Sequence, residues 1–176
     1  ADSTKATVDA EAIADGVLLT LKGAGDFDVT NVLSNVTNAA TGTVNLTLDD
    51  DGSGSAVTAT VTNNAGSGTL TTINGTFADG DTLTLAGSGD HVVTGLKADV
   101  VATSSTGAVD ITAVEAVSIT TGSGATTLSQ ADSTKATVDA EAIADGVLLT
   151  LKGAGDFDVT NVLSNVTNAA TGTVNL

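Results

Sequence analysis

Three consecutive carboxylates, Asp49, Asp50 and Asp51, precede Gly52 in the stretch DDDGSGS (49–55). Clustered carboxylates followed by glycine resemble the opening of a calcium loop, where hard oxygen ligands surround the cation and glycine permits a sharp turn. The D-x-D-x-D-G spacing and the distant bidentate Glu of such a loop are incomplete, so a charged, solvated turn is the plainer reading. If the chain takes a metal, these three residues are its expected ligands and calcium its expected identity. FADGD (77–81) places Asp79 and Asp81 at a strand entry and reads the same way, more weakly.

Other chemistry is sparse. The only histidine, His91, occupies the place that Phe27 holds in a related stretch, which marks it as a strand residue rather than a catalyst. Ser and Thr abound without a histidine partner common to the related stretches, and no nucleophile elbow, phosphate loop or zinc spacing occurs. No catalytic residues and no enzymatic activity are therefore expected. GAGD (23–26) and GSGD (87–90) invite comparison with the calcium nonapeptide GGxGxDxUx, but Phe27 and His91 stand where that motif needs Asp, so turn glycines beside a solvated Asp are expected. Threonines recur as T-x-T at 58–60, 60–62 and 82–84. On a flat face such ranks could order water and bind ice, although Thr is also simply a good polar strand former. NVT (35–37), NLT (45–47) and NGT (74–76) match a glycosylation sequon, as chance allows in so Thr- and Asn-rich a chain.

The composition limits the partners. The net charge is −16, there is no Arg, and Lys5, Lys22, Lys97, Lys135 and Lys152 are the only basic residues besides His91. Nucleic acid and anionic membrane surfaces both need a positive face, so neither is an expected partner. No apolar run is long enough to span a bilayer. Cys is absent, which excludes disulfides and fits an extracellular bacterial product. The core must come from small and medium aliphatics, since Trp, Tyr and Met are absent and Phe occurs three times.

The elements that position these residues are repeated. Ala1–Leu46 recurs without one substitution as Ala131–Leu176. Residues 1–130 thus read as one full repeat unit and 131–176 as the start of the next. A weaker repeat lies inside: LTLKGAGDFDVT (19–30) resembles LTLAGSGDHVVT (83–94), and TGTVNLT (41–47) resembles TGAVDIT (106–112). The unit divides into sub-repeats at approximately 17–80 and 81–146. ADG recurs at 14–16, 78–80 and 144–146, each time just before an LTL strand.

Strand signals follow one another every 8–12 residues or so: VLLTL (17–21), FDVTNV (27–32), TVNLTL (43–48), AVTATVT (56–62) and GTLTTI (68–73). In TVNLTL, alternation puts Val44, Leu46 and Leu48 on one face. VDAEAIADG (8–16) is ambiguous and could hold a helical turn. An all-β parallel β-solenoid, or β-helix, of tandem 130-residue repeats is expected, each half-repeat of ~65 residues forming about three coils of roughly 22 residues. Tandem Greek-key β-sandwich domains are the alternative. The lack of aromatic plugs and of a linker between copies favours the solenoid.

The phrase LTLxGxGDxxVT followed by TGxVxxT, in a Cys-free acidic chain repeated without drift, resembles the β-strand repeats of giant bacterial extracellular surface proteins: type I-secreted adhesins, surface-layer proteins and surface filaments. The resemblance implies an extracellular or cell-surface location, a structural role and, commonly, calcium stabilisation. The expected function is a rigid acidic spacer in a long surface filament, stalk or surface layer. The alternative is an adhesin or ligand-binding array for a cell, glycan or ice. Expected partners are adjacent identical repeats and other copies of the chain.

Overall fold

The computed structural model describes every residue except 1–3, 15, 51, 54, 65, 67 and 69, and describes 73 and 74 by backbone only. Branched residues broken by Gly, Asn and Asp favour strands and turns, and the described residues contain eighteen strands and no helix. The strands stack in two nine-stranded sheets. The first holds β1 (Lys5–Asp9), β3 (Asp26–Val32), β5 (Val44–Leu48), β7 (Leu70–Asn74), β9 (His91–Leu96), β11 (Val109–Ala113), β13 (Thr126–Gln130), β15 (Leu148–Gly153) and β17 (Asn165–Ala170). The second holds β2 (Leu18–Gly23), β4 (Asn35–Ala40), β6 (Thr58–Asn63), β8 (Thr82–Gly87), β10 (Asp99–Ser105), β12 (Val117–Thr120), β14 (Lys135–Asp139), β16 (Asp156–Thr160) and β18 (Val174–Asn175). The chain alternates between sheets, so two strands make one turn, and every pairing among the described residues is parallel. This is a parallel β-solenoid of about nine turns. The parallel register rules out the antiparallel Greek-key sandwich.

The core is thin and arranged in columns. Val8, Val29, Leu46, Thr72, Val93, Ile111, Leu128 and Leu151 stack along the first sheet. Ala59, Leu83, Val100, Ile119, Val138 and Val159 stack along the second. Val44, Leu46 and Leu48 are fully buried, as the alternation in TVNLTL requires. Such columns need only side chains that repeat well at the ~4.8 Å strand spacing, which is why aliphatics suffice without aromatic plugs.

In the ambiguous stretch 8–16 the described residues hold no helix: β1 ends at Asp9 and turns follow. NVTNAA, which is not among the strand signals read from sequence, forms β4. Its inward face is Val36, Asn38 and Ala40. Asn38 is fully buried yet satisfied: its Nδ2 donates to Asn63 Oδ1 at 3.0 Å and its Oδ1 accepts from Ala40 N at 2.9 Å. Asn63 Nδ2 then donates to the Asp90 carbonyl at 2.6 Å. This ladder ties three successive coils through the interior. Replacing Asn63 by Ala removes both of these inter-coil hydrogen bonds, to Asn38 Nδ2 and to the Asp90 carbonyl, and a fall in unfolding free energy of about 2 kcal/mol is expected in denaturant titration.

The coil count also differs from expectation. The first half-repeat holds β2–β7, six strands and three coils, as expected. The second holds seven strands, β8–β14, in nearly the same length. Long connections at 49–57 and 64–69 lengthen coils in the first half, so that it is Leu70 that lies over Val44. Short turns in the second half let Thr126 lie over Val109, a much smaller step along the chain. The described residues of the 130-residue unit therefore form thirteen strands, β1–β13, or six and a half turns. In consequence KATVD forms β1 in the first sheet and, as the identical β14, lies in the second.

Candidate functional site

Turns that lead from the first sheet to the second line one edge of the solenoid, and the return turns line the other. The two acidic turns singled out by sequence, 49–55 and 77–81, are stacked on the first of these edges, between β5 and β6 and between β7 and β8. They share a cleft of about 390 Å³ lined by Asp50, Ser55, Ala56, Ala78, Asp79, Gly80 and Asp81. Phe77, next to the lining residue Ala78 in the chain, is fully buried.

Most carboxylates here are committed to the fold. Asp81 is 5% exposed, with Oδ1 accepting from Val57 N and Oδ2 from Ala78 N, both at 2.8 Å. Asp49 Oδ1 accepts the Thr76 hydroxyl, and Asp50 Oδ1 accepts from Gly52 N at 3.1 Å. Asp51 lies outside the described residues. Among the described residues, no group of three or more carboxylate, imidazole or thiolate side chains is arranged to hold a metal ion. The exposed Asp79 and half-buried Asp50 make the cleft anionic. Its chemistry is turn-closing: carboxylates replace missing backbone partners where the chain loops out.

The same device recurs along the rod and accounts for the GxGD phrase. Asp26 Oδ1 accepts from Thr43 N at 2.7 Å, Asp90 from Ala108 N at 2.8 Å and Asp156 from Thr173 N at 2.7 Å. In each case the carboxylate stands at the start of one strand and accepts the amide just before the paired strand in the coil above. Asp99, the first residue of β10, accepts from Ser118 N inside β12 at 2.7 Å. The glycines stack backbone on backbone. A Cβ on Gly42 would lie 2.4 Å from Gly25 O, one on Gly107 2.2 Å from Gly89 O, and one on Gly124 2.1 Å from Gly107 O. GxGD followed by TG is thus a staple between coils, which sequence reasoning saw only as a turn.

Exposed polar ladders add to it. Lys5 pairs with Asp28 and Lys135 with Asp158. Asn45 Nδ2 donates to Asp28 Oδ1 at 2.9 Å, and together the lysine and amide hold the Asp28 carboxyl below the usual carboxylate range. Asn31, at φ 56°, donates to Asp9 Oδ1 at 3.0 Å and lowers that carboxyl too. Of the sequon asparagines, Asn35 accepts from Thr60 N and Asn45 is held by Asp28, while the Asn74 side chain is outside the described atoms.

His91 is 1% exposed and points into the core between Leu70 and Val109. Its Nε2 lies 3.0 Å from the Ala86 carbonyl and donates to it, whereas Nδ1 has no partner. Burial pushes its pKa below the usual imidazole value, against the pull of Ala86 and the Asp90 charge.

The threonine ranks lie on the second sheet. Thr58 and Thr60 stand over Thr82 and Thr84, and Thr20, Thr37 and Thr62 form a neighbouring column. None of β2, β4, β6 or β8 contains Asp or Glu, so this face is acid-free in a chain of 21 acids. Compared with known protein families, curated proteins and solved structures, the chain matches none.

Proposed function

We propose that the chain is a structural repeat of a long extracellular bacterial surface filament, stalk or surface-layer protein, acting as a rigid acidic spacer. The observation that carries this reading is the junction between copies. Across residues 130 and 131 the stack does not pause: β13 pairs with β15 and β12 with β14 in the same two sheets. Identical sequence is added as identical coils, so what the repetition preserves is length and regularity. The high net negative charge keeps such rods soluble and apart.

The test is contour length. Three and six tandem 130-residue units, imaged by electron microscopy, should be smooth rods that grow by roughly 31 Å per unit, six and a half turns at ~4.8 Å. A beaded, flexible chain with a longer step overturns the reading. Imaging with and without calcium examines the Asp49, Asp50 and Asp51 turn, since a change from loose to rigid on adding calcium would make that turn a metal site.

A second reading, a ligand-binding array, draws on the acid-free threonine face. Ice-recrystallisation and glycan-binding assays separate it from a spacer, which is silent in both.

A further inference from the structure

The two copies of Ala1–Leu46 are identical in sequence but lie on opposite sides of the rod. β1, β3 and β5 belong to the first sheet, whereas their copies β14, β16 and β18 belong to the second. β2 and β4 belong to the second sheet, and their copies β15 and β17 to the first. The connections exchange edges as well. Residues 10–17 lead from the first sheet to the second, while the identical 140–147 lead from the second to the first. The cause is parity: thirteen strands in a fold that uses two per turn leave each unit half a turn out of phase with the one before.

Local contacts are indifferent to this exchange. Asp26 with Thr43 recurs as Asp156 with Thr173, both at 2.7 Å. Asn31 with Asp9 recurs as Asn161 with Asp139, at 3.0 and 3.1 Å. Lys5 with Asp28 recurs as Lys135 with Asp158. Each contact joins neighbouring coils, so it re-forms wherever its coil falls.

We infer that an array of these units is a two-sided rod whose structural period is two units, and that the odd strand number keeps it straight and shows every surface feature on opposite sides in turn. This rests on the spacer reading above. Within one unit the edges are unequal. One carries the long 10–17, 49–57 and 75–81 connections, whereas the other carries a single long connection, 64–69, among short turns with the glycine stacks 25–42 and 89–107–124. In a solenoid, a small bias per repeat accumulates into curvature. Here the next unit exchanges the edges and reverses the bias, so it cancels over two units. An even strand number would add it up into an arc. Any partner that recognises one unit, such as its threonine face, then meets the rod from both sides.

The experiment uses a tandem six-unit array with Thr20→Cys in every unit. Thr20 is exposed on β2, where the stack ends, and its internal copy Thr150 on β15 keeps partial exposure; the chain has no native cysteine, so each unit offers one thiol for labelling. The label is wider than one unit's rise but narrower than two. The expected result is a straight rod with labels on alternate sides and one label bound per unit. Labels confined to one side, with binding saturating at one per two units, or a uniformly curved rod, would overturn the inference while leaving a rigid spacer intact. A flexible contour with no fixed side would instead overturn the spacer reading, and it is visible in the unlabelled array.

Discussion

Replacing Gly107 by alanine should lower the unfolding free energy by about 3 kcal/mol, near the upper end of what forced overpacking costs. The φ at Gly107 is not positive, so alanine meets no conformational penalty there. The whole effect comes from space. The new Cβ would sit 2.2 Å from Gly89 O and 2.5 Å from Gly89 C, both backbone atoms that no rotamer can move aside. Relief requires two coils to separate, which stretches the parallel hydrogen bonds between β9 and β11 and the Asp90 cap on Ala108 N. Gly80→Ala is the matched control. Its φ is +97° and nothing lies within 4 Å of the added Cβ, so only the left-handed backbone is penalised, by about 1 kcal/mol. Denaturant midpoints of the two variants check the ranking, and equal losses would show that glycine here serves conformation rather than stacking.

The second large effect is expected at His91. A buried imidazole with an unpartnered Nδ1 carries a desolvation cost that no contact offsets. His91→Phe installs the residue that Phe157 presents, fully buried, at the corresponding point of the next half-repeat. It gives up the Nε2 hydrogen bond to Ala86 O. The net gain should be about 1–2 kcal/mol at pH 7. The pH dependence follows from the lowered pKa. Unfolded, the imidazole takes up a proton as pH falls through about 6.5. Folded, it resists to lower pH because burial disfavours the imidazolium. Between those values the unfolded state binds more protons, so stability is full above about pH 6.5 and declines below it, levelling off under the folded value. His91→Phe should remove that decline, so its advantage widens at pH 5. A wild-type stability that stays flat from pH 7 to 5 would contradict the assignment.

Much of this architecture is legible in the sequence where a residue's neighbours are its own neighbours in the chain. The alternation in Val44–Leu48 sets a strand and its buried face, and the GxGD and TG phrases mark turns at the right places. What the sequence hides is the relation between coils. Asparagine commonly favours turns, so nothing local marks Asn38 as a core residue, yet it bonds Asn63 and Ala40 inside the core. The short coils of the second half are hidden too, and with them the thirteenth strand and the exchange of sides. The acidic turns at 49–55 and 77–81 are each visible in the sequence, but their sharing of one cleft depends on the long coil from Val44 to Leu70, which only register reveals. Carboxylates that look like ligands in a string are found capping amides once the coil above them is in place.

The register has a consequence for how such a chain comes to be folded. Every strand pairs only with the segments one turn before and one turn after it, as Phe27 does with Val44 and Val44 with Leu70. The loop-closure entropy of each added coil is therefore much the same for the first coil and the hundredth, and it does not grow with chain length. A chain threading out of a ribosome or through a narrow pore could wind up coil by coil as it emerges, each finished turn serving as the template for the next.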